Sequence, residues 1–439
     1  MGSLRTPRTS SCPTRYGKSR VAPLAAVEGP RATTEVLPSG PAPMSVLLAV
    51  LALAVHALGV AAQEYPLVPD TVVQAPGRPA LAVLSTGTSG VTALRLAVPL
   101  RESEFEAGAG RLLAELALER MRGPAARIGA HVTAERTPWG VAYTVAGAEV
   151  DLEYLGFLLR TALEEPGGDP VRFSSTRASI LEELERAEES PDDRLVDRLR
   201  AMVSPGPSPL AGTLEALSVL TAPQLREVWR RSHTSASIQI VAATALEPAV
   251  LLAGLTGIGH PFDSLAIPRE EGTMRRSDRT APPLLRNRYG LAWVGDETLD
   301  PHAAVVWSLL AQRLQDPPQG IEARARLIQF QRGHAIFLTG TTRGRDTGLR
   351  TFLDGLLPAL EADITAGSVR DAALEIRHRY NVTASSPVGL VDRVGRALEA
   401  TGQTGAAAEY VARLDAVTRE SLLSYLGALQ GPMTETLGR

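Results

Sequence analysis

Leu152–Glu164, LEYLGFLLRTALE, is met again at Leu349–Glu361 as LRTFLDGLLPALE. Two further segments repeat in step with it: Pro170-Val171-Arg172 falls on Ser368-Val369-Arg370, and LTAPQL from Leu220 falls on VTRESL from Val417. The three displacements (152 to 349, 170 to 368, 220 to 417) are nearly equal, whereas chance matches between leucine-rich helices would scatter in register. A period this long exceeds the roughly 20 to 50 residues of a solenoid repeat, so the pattern predicts duplication of a whole domain, with a cleft between the copies as the place for function.

Composition agrees. A chain of 439 residues is long enough for two domains, each with its own core. The formal net charge of −3 provides no basic field for nucleic acid, and an aromatic content of 4% argues against a base-stacking platform. The only cysteine, Cys12, lies in the N-terminal segment, which excludes a thiol nucleophile and a thiolate metal site from the folded part.

Residues 1–43 are rich in Arg, Pro, Ser and Thr and are expected to be a disordered or mis-assigned extension, with Met44 as the true start. The run from Met44, MSVLLAVLALAVHALGVAAQ, reads as a signal peptide over residues 44–62, with small residues Val60 and Ala62 before Gln63. The expectation is an exported protein, periplasmic or secreted; retention of residues 44–62 as a membrane anchor is the alternative.

Beyond Gln63, ALAVLST and ALRLAVPL read as a β-hairpin turning at Thr86–Gly90, followed by a helix in GAGRLLAELALERMR. A second hairpin is expected from about Ile128 to Val145, then helices, including the charged VRFSSTRASILEELERAEES, and a strand at SIQIVAAT. Residues 261–287 read as a linker between a first domain, 63–260, and a second, 288–439. In the second domain RYGLAWVGD and GHAIFLTGTT read as strands, HAAVVWSLLAQRLQD as a helix, with three or four helices to the end. The fold class is α+β: two homologous α/β-sandwich domains, each an antiparallel-rich sheet with helices on one face.

This order of elements, with G-x-x-x-L-L-x-E-L on the first helix, an I-G-A strand, a Tyr late in the following hairpin and L-E-E on a later charged helix, resembles the insulinase/pitrilysin metallopeptidases, and within them the branch like mitochondrial processing peptidase. Active members carry H-x-x-E-H on the first helix: two imidazoles one turn apart hold zinc and the Glu is the general base. The resemblance places Arg111 at the first ligand, Ala114 at the base and Glu115 at the second ligand; only the third ligand survives, as Glu183. Arg cannot ligate zinc and Ala cannot take a proton. No two of the seven His lie three to five residues apart, so no substitute motif stands on another helix, and no metal site of its own is expected. Arg111 and Glu115 are expected to pair at i, i+4; convergence of Glu115, Glu183 and His131 on a metal is the alternative.

The resemblance also implies substrate contacts. The strand Ile128–Arg136 corresponds to the edge on which substrates of active relatives add a strand, so His131, Thr133 and Ala134 are candidate binding residues. Arg326 and His334 fall near the Arg and Tyr that hold the substrate carbonyl in the family; His334, in an apolar strand, reads equally as a structural residue. The implied function is a catalytically inactive, exported subunit that pairs with an active zinc peptidase of the same family, or with itself, and helps enclose unfolded peptide. No cofactor is expected here, zinc being the partner's. A stand-alone peptide-binding or scaffold protein and a divergent metalloendopeptidase are the alternatives.

Overall fold

The computed structural model describes residues 66–74, 78–87, 90–166, 168–203, 210–258, 286–343 and 346–437. The expected extension 1–43, the leader 44–62 and the linker up to residue 285 lie outside the described residues. The first half runs β1 (Thr71–Val73), β2 (Ala80–Ser85), β3 (Val91–Pro99), α1 (Ala109–Ile128), β4 (His131–Arg136), β5 (Gly140–Ala148), α2 (Leu152–Ala162), α3 (Pro170–Glu189), α4 (Pro191–Val203), α5 (Leu214–Val219), α6 (Ala222–Ser232), β6 (Gln239–Thr244) and α7 (Pro248–Gly254). The second runs β7 (Asn287–Gly295), α8 (Pro301–Arg313), β8 (Ile321–Gln329), β9 (His334–Thr342), α9 (Asp346–Asp363), α10 (Ala366–Ala384), α11 (Pro387–Thr401), α12 (Ala406–Asp415), α13 (Arg419–Ala428) and β10 (Gln430–Leu437).

The two sheets have the orders β1-β2-β6-β3-β5-β4 and β10-β7-β9-β8, antiparallel throughout except for the parallel pair β2/β6. The expected hairpin of β2 with β3 does not form. The strand SIQIVAAT, as β6, inserts between them, parallel to β2 and antiparallel to β3. A Gly-containing turn allows a hairpin but does not compel one, and β6, buried along nearly its whole length, belongs in the sheet interior. Other elements also differ from expectation. Helix α1 continues through Gly123-Pro124 to Ile128 and stops at Gly129 (φ 66°), so the second hairpin begins at His131. Ile321–Gln329 is an edge strand, and after β9 come five helices and a closing strand, β10.

Each half's own helices cover one face of its sheet. Leu112, Leu113 and Leu116 of α1 and Leu155, Leu158 and Leu159 of α2 pack on Leu94, Leu96, Val141, Tyr143 and Val145. The opposite faces are closed by exchange. Helix α11, from the second half, lays Leu390, Val391, Val394 and Leu398 on Ala82, Leu84, Ala93, Val241 and Ala243 of the first sheet. Helix α4, from the first half, lays Leu195, Val196 and Leu199 on Ala292, Ala335 and Phe337 of the second. Burying each such side chain is worth ~1.5–3 kcal/mol, so neither half completes its core alone, and all described residues belong to one compact unit.

The exchanged helices carry a repeat of their own, Leu195-Val196-Asp197-Arg198 and Leu390-Val391-Asp392-Arg393. The sheets match it: Arg95 pairs with Thr144 and Gly290 with Thr339, each displaced by 195 residues (95 to 290, 144 to 339). At this point the copies divide space in opposite ways. In the second half Gly290 leaves room for Leu199, whose Cδ1 would lie 2.7 Å from an added Cβ. In the first, the sheet carries Arg95 and the helix is cut back to Gly395, where a Cβ would meet Arg95 Cδ at 2.5 Å.

Arg95 is only 2% exposed. Its Nε and Nη2 donate to Glu399 Oε1 at 3.0 and 2.8 Å, and Nη1 donates to Glu135 Oε1 at 2.8 Å and Asp392 Oδ1 at 3.0 Å. Arg396 donates to Glu135 and Asp392 as well. Burial alone would lower the pKa of Arg95, but Glu399, Asp392 and Glu135 outweigh it and raise it. Arg95→Ala, which strands buried Glu399, is expected to cost ~3–5 kcal/mol in urea unfolding. Gly395→Ala is expected to cost ~1–3 kcal/mol in the parent and less than half of that in the Arg95→Ala background, where the obstructing side chain is gone; equal costs in both would refute the fit.

Candidate functional site

The start of α1 is built by two glycines. Gly108 takes the left-handed conformation (φ 98°) that turns the chain into the helix, and an added Cβ would lie 2.7 Å from Leu217 Cδ1. Gly110 lies under Arg136 of β4, whose Cδ would be 2.6 Å from a Cβ there. Glu102, 5% exposed, accepts the Gly110 N–H and faces Arg136 Nη2 at 3.4 Å. Just upstream, Glu106 accepts both ends of the Arg231 guanidinium, at 2.7 and 2.6 Å, fastening the approach to α1 onto α6. Burial opposes ionisation of Glu106, but the hydrogen bonds from Arg231 and Ser103 outweigh it and hold its carboxyl at about 2.

One turn further, Arg111 and Glu183 meet. Arg111 Nη2 donates to Glu183 Oε2, an ion pair from α1 to α3, its side chains 16% and 60% exposed. The expected partner of Arg111 was Glu115 on its own helix. The chosen one is Glu183 because α3 packs against α1, a run that Thr176 also ties by donating to Glu119 at 3.1 Å. Glu115 is half-buried, and Ala114 is 2% exposed, turned into the core among the leucines of α1. The positions that the sequence aligns with first and third zinc ligands are therefore neighbours in space, but a cation already occupies the first. These residues do not fit a bound zinc: a guanidinium offers no lone pair, and the one carboxylate it meets is engaged.

Convergence of Glu115, Glu183 and His131 on a metal is excluded by the pleat of β4. Val132 and Ala134 face α1, whereas His131, Thr133 and Glu135 point to the opposite face, His131 opposite Ala146 and Thr133 opposite Thr144. Among the described residues no three His, Cys, Asp or Glu form a group that could hold a metal ion. Strand β4 ends its sheet, and its outer row of backbone groups has no strand beside it among the described residues. His131 and Thr133 are exposed, while Glu135 and Arg136 are committed, the first to Arg95 and Arg396, the second to Glu102 and to the carbonyls of Thr137 and Gly140.

Arg326 and His334 do not come together. Arg326, opposite Phe337, lies on the sheet face covered by α4, near Asp197. His334 is fully buried, its Nδ1 2.7 Å from Glu297 O and its Nε2 2.6 Å from Tyr425 Oη, with the ring stacked on Tyr425. Both ring nitrogens are engaged inside the second half.

Two outcomes follow. A double substitution, Arg111→His with Glu115→His, places two imidazoles one turn apart beside Glu183; calorimetry should show zinc binding absent from the parent, weakened roughly 10–100-fold by Glu183→Gln. Zinc binding indifferent to Glu183 would show that α3 is wrongly placed. For Glu106, whose folded pKa is depressed from 4.5 to about 2, the stabilisation is complete above pH 4.5 and is lost as pH falls through 2. Glu106→Gln should therefore lower stability at neutral pH and flatten its fall between those limits, measured by denaturant unfolding across pH.

No protein-family model matches the chain, and no curated protein does. Solved structures do. A protease from Helicobacter pylori superposes with a TM-score of 0.72 at 13% identity, covering 84% of this chain and 98% of the other. The inactive domain of a peptidase M16 from Pseudomonas fluorescens gives 0.69 at 14%, covering 84% and 97%. A chain of complex III2 from Candida albicans, bound to Inz-5, gives 0.66 at 11%, covering 84% and 95%. At such identities the likeness concerns architecture, and the architecture of this chain is that of the M16-like peptidases.

Proposed function

We propose that this chain is a catalytically inactive subunit of the type found beside mitochondrial processing peptidase-like enzymes, exported, pairing with an active zinc peptidase and helping to enclose unfolded peptide. The observation that carries the reading is the Arg111–Glu183 ion pair, which spans the aligned ligand positions while Ala114 supplies no base. The fold that would surround a working metal is retained, and one neighbour of that fold is itself described as inactive. Zinc belongs to the partner. The neighbour in complex III2 supports a life in assemblies. Export rests on the apolar run Met44–Ala62.

Peptide would lie along β4, its main chain hydrogen-bonding to the free edge, with His131 and Thr133 flanking it on one face and Ala134 on the other. That edge equally favours the second reading, a stand-alone peptide-binding or scaffold protein. Mixing the purified chain with an exported H-x-x-E-H peptidase from the same cells separates them. Co-elution and a chelator-sensitive rise in peptide cleavage support the subunit; peptide binding with neither supports the solitary binder. In both cases N-methylation of alternate backbone nitrogens of an unfolded peptide should weaken its binding by tenfold or more, roughly the worth of one or two hydrogen bonds. Undiminished binding of the methylated peptide rules out strand addition.

A further inference from the structure

A cavity of about 410 Å³ opens where the two halves meet, and none of its walls belongs to α1, α3 or β4. The first half contributes Arg101, just past β3, Trp139 in the β4–β5 turn, and Gln239 at the start of β6; the second contributes Gln331 and Arg332 from the β8–β9 turn and Glu399 from α11. The donors outnumber the acceptors. Arg101 and Arg332 are exposed at this site, and neither guanidinium has an ion-pair partner among the described residues. Trp139 Nε1–H is buried and donates to nothing among the described residues. Glu399, the one carboxylate, is engaged: Oε1 accepts from Arg95 and Oε2 accepts from Thr137 Oγ1 at 2.9 Å.

An unpaired buried indole N–H is costly, and such groups in folded proteins ask for a partner. Two guanidiniums and an indole offer donors only, and the acceptor that suits a guanidinium fork is a planar carboxylate. The volume is that of a small-molecule site, and Leu100 and Leu398 add apolar wall, which a compact phosphate would leave uncovered. We infer that this cavity binds a small carboxylate-bearing molecule with an apolar body, a short peptide through its C-terminus being the best match, and that the ligand bridges Arg101 of one half to Arg332 of the other.

The site is independent of β4 and of any partner, so its test stands apart from the peptidase-subunit reading. The full chain is titrated, by calorimetry and by tryptophan fluorescence, with the dipeptide Ala-Leu, its C-terminal amide, butyrate and inorganic phosphate. Ala-Leu is expected to bind saturably and to raise the thermal unfolding midpoint. The amide should bind at least tenfold more weakly, and Arg101→Gln and Arg332→Gln, both at exposed positions, should each weaken Ala-Leu by about tenfold or more, the worth of a charge-assisted hydrogen bond. Trp139→Phe should weaken it less. Butyrate binding as tightly as Ala-Leu supports the carboxylate site and assigns it a non-peptide ligand. Equal affinity for acid and amide, preference for phosphate, indifference to both arginine substitutions, or no binding at millimolar concentration overturns the proposal.

Discussion

A guanidinium sealed between a sheet and a helix from the other end of the chain sets the terms for this molecule. Arg95 is cut off from water, and the carboxylates that make its burial tolerable, Glu399 and Asp392, stand on α11, 304 and 297 residues downstream. Desolvating a charge costs several kcal/mol unless its partners are in place, so the first sheet and the second half must be assembled together. Gly395 is the geometric counterpart: the helix gives up a side chain so that Arg95 can lie beneath it. The second copy answers the same packing problem by apolar means, Gly290 on the sheet receiving Leu199 from α4. The duplicated halves are thus interlocked, each finishing the other's core.

A second fixed pair marks α1. Arg111 presents a cation and Glu183, from α3, neutralises it, so the bond joins the two helices. Glu135 and Arg136 follow the pattern, their side chains tying the edge strand to its surroundings on both faces. The outer row of backbone groups of β4 has no strand beside it among the described residues.

The duplication, the first helix and the hairpin β4–β5 were legible in the residues. Each depends on local spacing, which a linear reading can follow. The misreadings share a cause. Thr86–Gly90 resembles a hairpin turn, yet β6, some 150 residues on, takes the place beside β3 because a strand apolar on both faces gains most in the sheet's interior. Gly123-Pro124 resembles a helix end, but Ala125 is buried and its neighbours continue the helix. Arg111 was matched to its nearest helical neighbour, and found its partner across a helix interface instead. The repeated Leu-Val-Asp-Arg is the sequence signal of the exchanged helices.

The linear order of residues determined by itself that the chain holds two like α+β halves and that its first helix, Ala109–Ile128, contains neither His nor Cys, since both are properties of residue type and interval. Only the tertiary structure decided which helix covers which sheet, that Arg326 and His334 lie on opposite faces, and that Arg101 and Arg332, one from each half, line one cavity. Those outcomes depend on burial and charge balance summed over segments far apart in the chain, and no local interval encodes that sum.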